Sequence, residues 1–420
     1  MIKSCWRWCY YTFTLVLPLA LALSLTAVWN AVAAETTPDH HEAASIPVTG
    51  KGQEPAAPEG VLDKPLTIKG TDIQLQFGGF VKVDFMYDVD PVGNADKFAV
   101  NTIPVDGDPD AELGGSANLS ARQTRLDMDV RSHSPVGLIR AYVEGDFFGS
   151  GNAFRMRHAY GEWNGILGGQ TWSTFQDISA RPFTLDYEGP DAAVFVRQPQ
   201  IRYTGTPSDQ FEWAVAIEDP SSQISATGGV SGSGRSQLPD IPAYLRFKPD
   251  WGHMQIAGIF RQLRFVSDDG DIDDSTFGFG LNLSGKVKIV SKDAFLGQFA
   301  FGSGIGRYIA VFGGTNSDAV VTTSGDVDAL DAWGAVLGYT HHWNEQFNST
   351  ISGALAEVDN DSSQPDDAIK SARSFHMNLV YSPFHLLSLG GEVMYGMREN
   401  KNGDDGDAVR LQCSIQYKFR

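Results

Sequence analysis

Cysteine is nearly missing: the chain has three in 420 residues, and two of them, Cys5 and Cys9, lie in its leading segment. Once that segment is removed, Cys413 stands alone and an internal disulfide is excluded, whatever the redox state of the compartment. No apolar run of membrane-helix length follows residue 33, which excludes a helical membrane protein. Positive charge is scarce as well: 32 Lys and Arg stand against 51 Asp and Glu, a net −19. That acidity disfavours nucleic acid as a partner, though it does not fix the local sign inside a cavity. Ligand-spaced clusters are absent too. His341 and His342 are adjacent, which puts them on opposite faces of a strand, and the acidic stretch Asp88 to Ser116 lacks the spacing of a calcium loop. No organic cofactor is implied.

What is present begins with an export signal. Lys3 and Arg7 precede a long apolar stretch that ends in Ala31-Val32-Ala33, so residues 1–33 read as a signal peptide, with an uncleaved anchor as the alternative. Removing its two cations takes the net charge to −21. Residues 34–70 are acidic, rich in Pro and Ala and without periodicity or heptads, and read as a disordered periplasmic extension. Residues 71–420 read as one domain. The whole chain's 45 glycines, 11% aromatics and mean hydropathy of −0.19 are the mixture a transmembrane barrel gives, because outward apolar residues alternate with inward polar ones.

Strand periodicity recurs through this domain. In Ile73 to Tyr87, Val81, Val83 and Phe85 share one face and Lys82 and Asp84 the other. Leu119 to Arg131 sets Thr124, Leu126, Met128 and Val130 against Arg125, Asp127, Asp129 and Arg131. In Ala153 to Trp163, Arg155 and Arg157 fall opposite Met156, His158 and Tyr160. Further strands include Ala192 to Tyr203 and Phe295 to Val311, and the last one places Val409, Leu411, Cys413, Ile415, Tyr417 and Phe419 on one face. Sixteen strands are counted, with short turns alternating with long loops. The expected fold is therefore all-β: a 16-stranded antiparallel transmembrane β-barrel in the outer membrane of a Gram-negative bacterium, multi-pass with a periplasmic N-terminus.

One connection stands apart. STFQDISARPFTLDYEGPD, residues 173–191, mixes Asp177, Arg181, Asp186, Glu188 and Asp191 with Phe175, Ile178, Phe183, Leu185 and Tyr187. Charge together with apolar anchors suits a loop that folds inward and narrows a pore, whereas a plain surface hairpin is the milder reading.

The chain resembles the DcaP-like porins of Gram-negative outer membranes. The motifs that carry the resemblance are QLQFGGFVKVDFMYD (74–88), SARQTRLDMDVRS (120–132), VEGDFFG (143–149), RMRHAYGEW (155–163), GGQTWSTFQD (168–177) and KPDWGHMQIAGIFRQL (248–263). The resemblance implies a homotrimer of sixteen-stranded channels for small, mostly anionic solutes, with an inward loop and arginines at the constriction. Some members carry an N-terminal coiled coil, where this chain has its acidic Pro/Ala-rich segment.

By parity, Arg125, Arg140, Arg155 and Arg157 are lumen candidates on consecutive strands, and Arg246 and Arg261 extend a basic ladder. Arg197 and Arg202 fall on opposite parities, so only one of them, taken as Arg197, joins the wall. On the loop the candidates are Asp177, Arg181, Asp186 and Glu188. Arginine suits anions because its planar fork stays charged and pairs with carboxylates. The competing expectation is that these arginines pair with Asp127, Glu144, Asp146 or Glu162 and simply fill the lumen. The functional expectation is a porin for small hydrophilic solutes, with membrane lipid and lipopolysaccharide as neighbours. The alternative is a structural or receptor barrel with little open transport. A hydrolase built on Ser173, His158 and Asp177 requires choosing the fold to suit it, and a soluble carbohydrate-binding sandwich is distinguished by whether the odd-parity faces contact lipid or a second sheet.

Overall fold

A computed structural model describes residues 65–226, 229–290 and 292–419. The signal peptide and most of the extension, within residues 1–64, lie outside the described residues, as does Arg420. Leu66–Thr67 already pair with Leu75 and Gln74.

Sixteen strands form the wall. They are β1 (Ile73–Asp88), β2 (Arg125–Ser134), β3 (Gly137–Asp146), β4 (Arg155–Trp163), β5 (Ile166–Trp172), β6 (Arg197–Ser208), β7 (Phe211–Glu218) and β8 (Ile241–Phe247), followed by β9 (Gly252–Ser267), β10 (Asp273–Lys288), β11 (Ala294–Ser303), β12 (Asp331–His342), β13 (Phe347–Val358), β14 (Ile369–Phe384), β15 (Leu387–Asn400) and β16 (Asp405–Lys418). Each pairs antiparallel with the next, and β16 pairs back onto β1, so the sheet closes without an edge. Closure is what a sheet in hydrocarbon requires, since an unpaired backbone group there costs several kcal/mol.

The alternation seen in the sequence becomes the two faces of the wall. Val81, Val83 and Phe85 are exposed outward, while Lys82 and Asp84 are buried inside. The same holds on β16, where Leu411, Ile415, Tyr417 and Cys413 are exposed and Arg410, Gln412 and Ser414 are buried. A slip of one residue would turn every inward charge into lipid. At mid-bilayer each exposed Lys or Arg costs about 2–4 kcal/mol, so the register is strongly specified. Beside the short turns the outward face carries paired aromatics: Phe211–Phe247, Phe295–Tyr339 and Phe347–Tyr381, with ring centroids 5.0, 5.0 and 4.5 Å apart. These rings suit the headgroup level.

Four local departures from the expected strands have physical causes. The Leu119 to Arg131 strand is broken, with Ser116–Ser120 pairing to the far end of β1 before β2 starts at Arg125. Residues 192–196 belong to a loop: Ala192, Ala193 and Val194 are buried in an apolar cluster with Tyr308, Ile309, Val311 and Phe312, and β6 begins only at Arg197. The Phe295 to Val311 strand stops at Ser303 because Gly304 turns the chain at φ +75° and residues 305–312 join that same cluster. On β4, Glu144 pairs with His158 and Gly145 with Met156, leaving Arg157 as a bulged residue. The bulge shifts the parity, so His158 and Arg157 are both buried inside while Met156 is exposed.

The long loops also build a small sheet of their own. Ile224–Ala226 pairs parallel with Ala319–Val321, which pairs antiparallel with Val327–Ala329. These residues pack on Leu263 and Phe265 at the upper end of β9.

Candidate functional site: the loop between β5 and β6 and its arginine wall

Residues 173–196 are tied at many points to side chains of inward parity. Ser173 Oγ and the Thr174 amide both donate to Glu218 at 2.7 Å. Asn282 on β10 donates to the Phe175 carbonyl at 3.0 Å. The Asp177 carboxylate takes Arg246 of β8 at 3.3 Å, His253 of β9 at 2.7 Å and Ser284 of β10 at 2.9 Å. Farther along, Asn378 of β14 holds the Phe183 carbonyl at 3.0 Å. The Leu185 carbonyl accepts from Lys82 of β1 at 2.6 Å and from Gln412 of β16 at 3.2 Å, and its amide donates to Glu392 of β15.

The loop's own charges are spent on these contacts. Burial pushes the Asp177 carboxyl up, but His253, Arg246 and Ser284 outweigh it and hold it below the usual carboxylate range. Asp186 accepts from the amides of Phe98, Glu188 and Gly189. Glu188 pairs with Lys97 at 3.2 Å, and burial raises its carboxyl above the ordinary value. Arg181 donates to the carbonyls of Glu188 and Gly189 and lies 4.0 Å over the Phe195 ring; burial pushes its guanidinium down to about 10.

Opposite the loop, the arginines of the wall converge on one phenol. The Tyr187 hydroxyl oxygen accepts from Arg155 at 2.8 Å, Arg157 at 2.7 Å and Arg197 at 3.0 Å. Two carboxylates share the cluster: Asp146 pairs with Arg155 and Arg157, and Glu144 with Arg157 and, at 3.9 Å, Arg125. Arg125 Nε and Arg197 Nη1 are buried without a hydrogen-bond partner. Four guanidinium groups thus face two carboxylates around a tyrosine that is 6% exposed. Burial raises the Tyr187 phenol, but the charges of Arg197, Arg157 and Arg155 outweigh it and lower it from its ordinary value.

The other sequence candidates are placed elsewhere. Arg140 lies nearer the short turns, bound to Asp129 at 3.1 Å and Glu162 at 3.0 Å. Arg246 joins Asp177 to Glu212. Arg261 is fully buried under the loop sheet, where Asp240 at 3.0 Å and Asp318 at 3.2 Å hold it, so it presents nothing to a solute. Arg202, left out by the parity count, shares its face with the buried Gln198 and Gln200. It lines a cavity of about 520 Å³ at the short-turn end together with Arg140 and Arg246. Arg197, of opposite parity, reaches the cluster because it is the first residue after the loop and lies 4.7 Å over the Trp172 ring. The sequence signal for Tyr187 was its place among the loop acids, but nothing there marked it as the acceptor of three arginines. Among the described residues no group of three or more His, Cys, Asp or Glu could hold a metal ion.

A closed sixteen-stranded antiparallel barrel with a polar interior, an aromatic belt and a loop bound to the wall defines the class of outer-membrane porins. The chain belongs to the DcaP outer membrane protein family, whose model matches residues 57–419. Its fold is similar to that of the outer membrane channel DcaP of Acinetobacter baumannii, with 22% identity, a TM-score of 0.74 and coverage of 85% of this chain and all of that one. The anion-selective porin from Comamonas acidovorans matches at 12% identity and a TM-score of 0.56, covering 83% of this chain and 100% of its own. OmpT of Vibrio cholerae matches at 10% and 0.53, covering 84% and 99%. No curated protein sequence matches the chain.

Proposed function

We propose that this porin passes small hydrophilic solutes by diffusion and favours small organic anions, with residues 173–196 as an inward-folded constriction loop. The observation that carries this reading is the charge imbalance at Tyr187: four guanidiniums, two carboxylates and two unpartnered buried N–H groups. Such a wall attracts and orients an anion, and the charge-assisted bonds it offers are about twice as strong as neutral ones. The loop acids do not cancel it, because Asp177, Asp186 and Glu188 are already bound to His253, backbone amides and Lys97. The pairs formed by Arg155, Arg157 and Arg140 also mean that part of the wall charge is neutralised, so selectivity rests on the surplus.

The functional unit is a homotrimer in contact with membrane lipid and lipopolysaccharide. Ala141, Gly145, Ala159 and Gly161 mark the outward side suited to subunit contact. At Gly145 the Phe154 ring fills the space a side chain would take, whereas Gly161 is open. Residues 1–33 serve as the export signal and 34–70 as a periplasmic extension of the 71–420 barrel. A second reading, a receptor or structural barrel with little transport, is favoured by the buried apolar cluster of Phe98, Val100, Phe175, Tyr308 and Phe312, which packs loop against loop. Proteoliposome swelling separates the two: a channel admits lactate faster than a neutral polyol of similar size, and a closed barrel admits neither.

A further inference from the structure

The cavity at the short-turn end holds three arginines, and their environments differ. Arg140 is bound by Asp129 and Glu162, and Arg246 by Asp177 and Glu212. The Arg202 guanidinium makes no hydrogen bond or ion pair among the described residues, and its Nε is buried without a partner. The sheet register explains why. Arg202 pairs laterally with Leu167 of β5 and Ala216 of β7, and its inward neighbours along β6 are Gln200 and Thr204. None of these can neutralise it, and the diagonal carboxylate on β7, Glu218, is taken by Ser173, Thr174 and Gln198. Its side chain lines a space of about 520 Å³ that is bounded above by Gln176, Ile178 and Ser179 of the loop. A buried donor without an acceptor carries a desolvation penalty that an arriving anion would relieve.

We propose that Arg202 is a second anion-docking point, on the short-turn side of the loop, where a solute oxyanion leaving the Tyr187 cluster is held by an otherwise unpaired guanidinium before it exits. The inference rests on the anion-channel reading and adds to it a specificity-determining residue in series with the first. Two stations placed along the path keep the solute charge compensated on both sides of the narrow region, while neither binds so tightly that release stops. The ligand chemistry is that of a compact oxyanion, carboxylate or phosphate, which the planar fork of arginine matches.

The test uses single-channel recording of the full-length protein in chloride, with inorganic phosphate as the probe and with Arg202→Gln, Arg202→Lys and an Arg155→Gln plus Arg157→Gln variant compared. Heat-modifiable mobility on gels confirms that each barrel is folded. In wild type, phosphate produces resolved interruptions of the current. Arg202→Gln shortens their dwell time about tenfold, a loss of about 1.4 kcal/mol, and Arg202→Lys shortens it less, because the charge remains but the fork is gone. Unchanged dwell times in Arg202→Gln, or no interruptions in wild type, overturn the docking role while leaving anion selectivity standing. Should Arg202→Gln fail to fold, unchanged dwell times in Arg202→Lys overturn it instead. A wild-type channel that prefers cations overturns the underlying reading itself.

Discussion

Arg157 Nη1 donates to the Tyr187 hydroxyl at 2.7 Å, joining a bulged residue of the wall to the middle of a loop thirty positions away. Alternation alone already turns Arg157 inward with Arg155, and the bulge adds His158 to the same buried face. Wall charge and loop position are therefore coupled at one phenol. Its loss has two consequences: the loop is less firmly held, and three guanidiniums lose their shared acceptor.

Tyr187→Phe should destabilise the loop by about 1–3 kcal/mol, the usual cost of leaving buried donors unpaired. The expected readout is noisier single-channel current with intact barrel mobility on gels. Quiet, wild-type traces would show that the hydroxyl does not hold the loop.

The same phenol sets an alkaline limit to selectivity. Burial raises it, but Arg197, Arg157 and Arg155 outweigh burial, so its folded-state pKa lies below the ordinary value of 10. For a depressed acid the stabilisation is fully present above the unfolded value and is lost as pH falls through the folded one. As pH rises toward 10 the new phenolate cancels one positive charge, and anion preference should fall in wild type but not in Tyr187→Phe. Reversal potentials across the range from neutral to pH 10 check this, with tyrosinate absorbance recorded in parallel.

Asp177 anchors the loop on the other side. Burial raises its carboxyl, but His253 and Arg246 hold it below the usual range. The anchoring is thus fully present above about pH 4 and is lost only as pH falls through the lower folded value. Recordings at pH 5 should match those at pH 7, with loop release confined to stronger acid. Asp177→Asn should bring that release to neutral pH, because breaking a buried pair from one side costs about 3–5 kcal/mol. Wild-type loop noise already at pH 5 would contradict the assignment.

Much of this was legible in the sequence. The strand Ile73 to Tyr87 is bounded to within one residue because alternation is a local signal. What alternation could not show was where an apolar run serves another loop instead of the wall. Ala192–Val194 and Ile305–Val311 read as strand ends, yet they pack against each other across more than a hundred residues. Nor could parity foresee the extra residue at Arg157, or that Arg261 would be sealed between Asp240 and Asp318. Long-range partners decide those positions.

Lys82 and Asp84 test the opposite attachment of the loop. Lys82, 3% exposed, pairs with Asp84 at 3.0 Å and holds the Leu185 carbonyl. Lys82→Met leaves Asp84 buried without its cation and should cost about 3–5 kcal/mol. Adding Asp84→Asn should recover part of that loss, a coupling that a double-mutant cycle on denaturant unfolding measures. Strict additivity would mean that the two charges do not interact.

The outward strip gives a prediction about assembly. A Cβ on Gly161 would meet only the Arg140 carbonyl, at 3.8 Å, so a large side chain there fits the isolated barrel. Gly161→Trp should therefore leave the barrel folded but convert trimer to monomer on native gels. A persistent trimer would place the subunit contact on another part of the wall.

The most direct test of the anion-channel reading is the reversal potential of the purified protein in a salt gradient across a planar bilayer, for wild type and for Arg140→Ala plus Arg155→Ala. The account predicts an anion-selective potential in wild type that moves toward zero in the double variant. A cation-selective potential, or an anion-selective one that the substitutions leave in place, would contradict it.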